Sequence, residues 1–171
     1  MEGKGIHLTC HACGKTWEMD TLGTLRSGEE CAHIPDWYAW QRQQVRKELE
    51  EGTYRLEKDV RIAILVNTKA LYWVGTGKLI HDVNGFRLTG CDGKLDYSQG
   101  PLACYGLYSD YYWYEIDDMI GIGDNEFSYF CFPKTKTSVT KARLATEELY
   151  KIAVAEKKAA KEEKREENDT K

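Results

Sequence analysis

The stretch KLIHDVNGFRLTGCDGKLDYS, residues 78–98, decides the fold class. Lys78–Val83 and Phe86–Thr89 are apolar, β-branched and aromatic runs that flank Asn84-Gly85, the strongest two-residue hairpin signal, since both residues take the positive φ that such a turn requires. Asp92-Gly93 separates Phe86–Thr89 from Lys94–Ser98 in the same manner. Working outward, Val60–Val66 and Ala70–Val74 are strand-like runs separated by Asn67-Thr68-Lys69. Downstream, Leu102–Leu107, Tyr111–Ile116, Met119–Ile122 and Phe127–Phe132 continue the series, with Asp124-Asn125 at the last turn. Short strands with turn signals every ~8–12 residues predict an antiparallel meander closed into a small barrel or sandwich.

Helical periodicity brackets these strands, so the expected class is α+β. Ile34-Pro35-Asp36 opens a helix, because proline suits its first turn and aspartate caps the exposed N–H groups. Trp37, Trp40, Val45 and Leu49 recur at helical spacing, and Gly52 is a natural stop. A second helix starts near Ser138, with Val139, Ala142, Ala145, Leu149 and Ile152 on one face. Beyond Ala155 the sequence EKKAAKEEKREENDTK loses its apolar face and reads as a solvated, frayed helix or a disordered tail. The expected organisation is a knuckle over 1–34, a linking helix over 35–52, a β-rich domain with its helix over 53–154, and the tail over 155–171. A meander of seven or eight strands finished by an amphipathic helix matches the pleckstrin-homology-like architecture, which does not fix function.

A chain of 171 residues with 42% hydrophobic and 30% charged residues supports a self-sufficient core without staples. The net charge of -4 argues against nucleic acid as a partner. It leaves a protein, or a membrane surface met by a local patch, as the partner classes. No apolar run reaches the ~20 residues that span a bilayer, and the start MEGKGIHLTC lacks a secretory signal. The clustering of cysteines with histidines points to a reducing, cytoplasmic compartment. Because the chain opens almost directly on a CxxC, it reads as a very small protein or as the tail of a longer one.

The strongest chemical signal is Cys10-His11-Ala12-Cys13-Gly14-Lys15, followed by Cys31-Ala32-His33. A CxxC turn delivers two thiolates to one ion, and tetrahedral zinc needs four such soft or borderline ligands. The expected ligands are Cys10, Cys13, Cys31 and His33, with His7 and His11 competing with Cys31 and His33 for the second half. Four protein ligands make a structural site with no position left for substrate. A catalytic zinc would need an open position and a base, and Asp36 and Glu18 qualify only by proximity in sequence.

Eleven tyrosines and five tryptophans make the chain strongly aromatic. Along Tyr111–Tyr114 successive side chains point to opposite faces, so one or two of these rings are expected to face solvent or a partner. Cys91, Cys104 and Cys131 read as small buried residues, His81 with Asp82 as a surface pair, and Gly121-Ile122-Gly123-Asp124-Asn125 as a link between strands.

The stretches GKGIHLTCHACGK, HIPDWYAWQRQQVRKELEEGTYRL, GFRLTGCDGKLDYSQGPLACYGLYSDYYWYEI and MIGIGDNEFSYFCFPK, together reaching to about Ile152, resemble the C-terminal extension of bacterial, clostridial-type 1-acylglycerol-3-phosphate acyltransferases. In that family an N-terminal domain transfers a fatty acyl group to a lysophosphatidate hydroxyl. Its His-x4-Asp signature supplies a base oriented by a carboxylate. Here the residues five places after His7, His11, His33 and His81 are Ala12, Thr16, Tyr38 and Phe86, so the signature is missing from this chain. The resemblance implies a non-catalytic accessory domain whose partner is an acyltransferase catalytic domain in the same parent chain, peripheral to the inner face of the membrane.

Overall fold

A computed structural model describes residues 2–11, 13–26, 33–66, 70–124 and 126–169 of the chain. The chain divides into two compact units, Met1–Gln44 and Val45–Lys171.

The first unit holds a small up-and-down sheet: β1 (Glu2–Lys4), β2 (His7–Thr9), β3 (Thr16–Met19) and β4 (Leu25–Arg26), paired antiparallel in that order. Asp20 builds the turn out of β3, accepting the Leu22 and Thr24 N–H groups at 2.9 Å each. The Thr24 bond leads in holding the Asp20 carboxyl below its ordinary range. Helix α1 (Ile34–Glu50) begins with a cap in which Asp36 accepts the His33 N–H at 3.1 Å. Trp17 and Leu25 are buried, and Trp17 meets Trp37 edge-on at 4.9 Å. No strand was legible between residues 1 and 34. Two- to four-residue strands are too short for alternation to stand out from background.

The second unit begins with the last turns of α1, which end at Gly52, where φ is +68°. Seven strands follow: β5 (Leu56–Val66), β6 (Ala70–Asp82), β7 (Gly85–Gly90), β8 (Leu95–Gln99), β9 (Tyr108–Trp113), β10 (Asp117–Gly123) and β11 (Ser128–Pro133). They form one antiparallel sheet in the order β8-β7-β6-β5-β11-β10-β9. Helix α2 (Val139–Asp169) completes the unit. Val60, Ile62, Leu79, Leu88, Ile120 and Cys131 line the inner face together with Val139 and Ala142 from the start of α2. Val45 and Leu49 of α1 pack with Tyr54 against Leu144, Ala145 and Leu149 of α2.

Both chain reversals fall at the expected dipeptides, but the first is shifted by one residue. Asp82 pairs with Gly85, so the loop is Val83-Asn84 and of the dipeptide only Gly85 has positive φ. β7 and β8 are joined through Asp92 and Gly93. Three expectations are corrected. The sheet curls but does not close: Gln99 Oε1 accepts the Gly123 N–H at 3.2 Å and Tyr97 meets Tyr129 at 5.3 Å, yet no ladder joins β8 to β9 among the described residues. Leu102–Leu107 is not a strand. Pro101 lacks a ladder donor and opens a 3-10 turn over Pro101–Ala103, which takes the chain off the sheet. Ala70–Val74 and Lys78–Val83 belong to one strand, Ala70–Asp82, because the glycine-containing link stays extended with a bulge at Val74 instead of a break. Of the two alternatives for the tail, residues 155–169 take the solvated helix: they continue α2, exposed on every face through Arg165, favoured by Ala, Glu and Lys content and by the Lys158–Glu162 pair. No helix among the described residues is long and apolar enough to cross a membrane.

Candidate functional site

The CxxC turn joins β2 to β3. The Cys10 N–H donates to the Lys15 carbonyl and the Gly14 N–H to the Cys10 carbonyl, both at 2.8 Å. Gly14 has φ of +73°, which a side chain at that position would oppose. This is a closed, tight loop that brings a half-buried Cys10 and an exposed Cys13 to the end of one hairpin. A loop of this kind suits a pair of thiolate ligands. Cys31 lies outside the described residues. His33 is the residue just before α1, bridged to Thr24 opposite it. Among the described residues, no three His, Cys, Asp or Glu side chains gather closely enough to hold a metal ion. The structure therefore brings Cys10 and Cys13 together and does not add His33 to them. Of the competing histidines, His11 Nε2 lies 2.6 Å from the Glu2 carboxylate, across the hairpin, and His7 sits in β2 opposite Glu18. In the same unit, Trp37 Nε1 is buried with no acceptor among the described residues.

His81 is buried, contrary to the surface pair expected from its sequence. It shares the inner face with Leu79, stacks on Phe86 at 3.8 Å and 8°, and places Nδ1 3.0 Å from the Tyr54 hydroxyl. Burial lowers its pKa from 6.5 to about 3 against the opposing pull of Asp82, so the ring is neutral near pH 7. Burial, with Glu48 adding to it, raises Tyr54 as well. Glu148 of α2 is the buried carboxylate of this unit, held by Arg46 at 3.1 Å and Lys151 at 2.6 Å.

Of the three later cysteines only Cys131 is fully buried, which raises its thiol pKa, while Cys91 and Cys104 are half-buried. The outer face of the sheet carries a second cluster: Ala63, Met119, Phe130 and Phe132, capped by Trp113. The Trp113 ring stacks on Phe130 at 4.9 Å, and its Nε1 donates to the Tyr108 hydroxyl at 2.9 Å. Tyr111, Tyr112 and Tyr114 remain exposed, more rings than strand alternation predicts. Tyr112, Tyr114 and Glu115 all have positive φ, which breaks the alternation and turns Trp113 inward between outward neighbours. Trp73, beneath the guanidinium of Arg61 at 4.7 Å, extends this aromatic surface onto β6. No protein-family model matches the chain, and comparison with curated proteins and with solved structures likewise finds no match.

Proposed function

We propose that this chain is a non-catalytic accessory module of a lysophosphatidate acyltransferase-like protein, with a zinc-stabilised knuckle and a pleckstrin-homology-like β domain. The parent reaction would be acyl transfer to 1-acylglycerol-3-phosphate, carried out by a separate catalytic domain at the inner face of the membrane. The observation that carries the reading is how the β unit uses its buried ionisable groups. His81 is held neutral between Tyr54 and Phe86, and Glu148 is neutralised by Arg46 and Lys151. Groups engaged in this way stabilise architecture and are unsuited to exchanging protons with a substrate.

Two further features support the finer parts. The antiparallel sheet order β8-β7-β6-β5-β11-β10-β9, followed by a helix over the inner core, is compatible with a pleckstrin-like meander. The Cys10–Gly14 loop suits two of four zinc ligands, with Cys31 and His33 as the remaining pair. Zinc there would tie the hairpin to the start of α1 and leave no coordination position for a substrate.

The test combines elemental analysis with an acyl-transfer assay. One zinc per chain, lost in Cys10→Ser, together with no turnover of lysophosphatidate and an acyl donor by the chain alone, is the expected result. Turnover by the chain alone would overturn the accessory role. A carefully reduced, metal-free chain that gains nothing from added zinc would overturn the knuckle.

A further inference from the structure

Among the described residues, the sheet of the second unit leaves strand edges open at β8, at β9 and at the beginning of β6, and these differ in charge. The outer edges of β8 and β9 each carry an aspartate, Asp96 and Asp110. Such a charge discourages a second strand from docking there. The third stretch is the beginning of β6. Its ladder with β7 runs from Gly77↔Gly90 to Asp82↔Gly85, so Ala70–Val74 pairs only with β5 among the described residues. The cause is local. β7 ends at Gly90, where the chain turns at Cys91, whereas β6 extends past it, and opposite Ile62 and Ala63 the register shifts, leaving Val74 as the extra residue of a bulge. From Ala70 to Gly77 there is no charged residue at all.

That open stretch is also apolar on its surface. Tyr72 and Trp73 are 55% and 48% exposed, and Val74 is 40% exposed. Alternate N–H and C=O groups of Ala70–Val74 face outward with no strand among the described residues to receive them. An uncharged, apolar edge with free backbone groups is a template for another strand.

We propose that Ala70–Val74 pairs antiparallel with the same segment of a second copy of this chain, forming a two-fold symmetric dimer through a continuous sheet. The segment is self-complementary about Tyr72. With Tyr72 on the axis, Leu71 faces Trp73 of the second copy and Ala70 faces Val74 of the second copy. An aliphatic–aromatic cross-strand pair is then repeated on each side, and no like charges are opposed. With about 150–250 Å² for a fully buried aromatic ring, the exposed fractions of Tyr72 and Trp73 amount to on the order of 200 Å² from each copy. That total lies below the ~1,200 Å² of standard interfaces, so the dimer is weak and concentration-dependent.

Sedimentation equilibrium of the full chain under reducing conditions tests this, over roughly 10 to 500 µM. The expected result is a mass that rises from 19.7 kDa toward twice that value. Tyr72→Glu places two carboxylates on the axis and holds the chain at the monomer mass, with an unchanged far-ultraviolet spectrum and melting temperature. Tyr105→Glu, at a tyrosine 80% exposed elsewhere on the unit, leaves association intact. A monomer over the whole range, or association indifferent to Tyr72→Glu, would overturn the proposal. A chain that stays monomeric yet sediments with phosphatidylcholine–phosphatidylglycerol vesicles, and loses this in Tyr72→Glu, would overturn it in favour of a bilayer.

Discussion

The Tyr54 hydroxyl and His81 Nδ1 lie 3.0 Å apart inside the second unit, joining the segment after α1 to the end of β6. Burial leaves the imidazole neutral in the folded chain, with a pKa near 3, against 6.5 when unfolded. Below pH 6.5 the unfolded chain binds a proton that the folded chain does not. Stability is therefore complete above pH 6.5 and falls as the pH drops from there toward 3, by about 1.4 kcal/mol per unit once the unfolded ring is protonated. The carboxyls of Asp20, Glu57 and Asp124 are held low by the Thr24 N–H, Lys78 and the Phe127 N–H, and they add to this loss only at more acidic pH. Urea unfolding between pH 6.5 and 5 isolates the histidine. His81→Phe is expected to flatten the slope in that window while lowering stability near pH 7 by about 1–3 kcal/mol through the orphaned Tyr54 hydroxyl.

The two neighbours Trp113 and Tyr114 should respond very differently to truncation. Trp113 is 9% exposed and stacked on Phe130, whereas Tyr114 is 79% exposed. Trp113→Ala is expected to cost about 3–5 kcal/mol, from the cavity over Phe130 and Phe132 and the lost bond to Tyr108. Tyr114→Ala should stay within about 0.5 kcal/mol. Thermal melts of the two variants beside the parent chain decide this, and similar losses would mean that Trp113 is not the cap of the outer cluster.

Glu115 has φ of +60°, in the left-handed region. A side chain there costs about 1–2 kcal/mol, part of which glycine returns as unfolded-state entropy. Glu115→Gly is therefore expected to stabilise the chain by about 0.5–1 kcal/mol, read as a higher urea midpoint at unchanged slope. A lower midpoint would assign the carboxylate a role in the turn.

Thiol reactivity separates the knuckle from the core. Cys13 is exposed, while Cys131 is fully buried with its thiol pushed well above the ordinary range. In chelator-treated, reduced protein, iodoacetamide should label Cys13 rapidly and Cys131 only on unfolding. Stoichiometric zinc is expected to slow labelling of Cys10 and Cys13 at least tenfold and to leave Cys104 unchanged, as peptide mass mapping would read. Equal rates with and without zinc would count against a metal at the knuckle.

The features legible in the sequence are those set by a few adjacent residues. Asn84-Gly85 and Asp92-Gly93 mark the chain's reversals because their backbone preferences are local, although the first loop closes one residue earlier, over Val83-Asn84. The spacing of Val45 and Leu49, and of Val139, Ala142, Ala145 and Leu149, marks the buried stripes of α1 and α2 for the same reason. The tight Cys10–Gly14 loop is likewise a local property of CxxCG.

Tertiary structure decided the rest. Alternation shows that β6 has two faces, but not that His81 lies on the inner one. That required the β6 ladders with β5 and β7 and the cover supplied by Tyr54. Whether a curled sheet closes depends on where its edge strands end, and Pro101 diverts the chain before β8 can meet β9. Trp113 points inward because three nearby residues adopt positive φ, a cost offset only once the ring covers Phe130 and Phe132, which lie 17 and 19 residues further along the chain. The sequence by itself determined the two helices, the regions of chain reversal and most strands of the second unit. Register between distant segments decided which side chains are buried and which edge stays open, because that choice rests on contacts no local window contains.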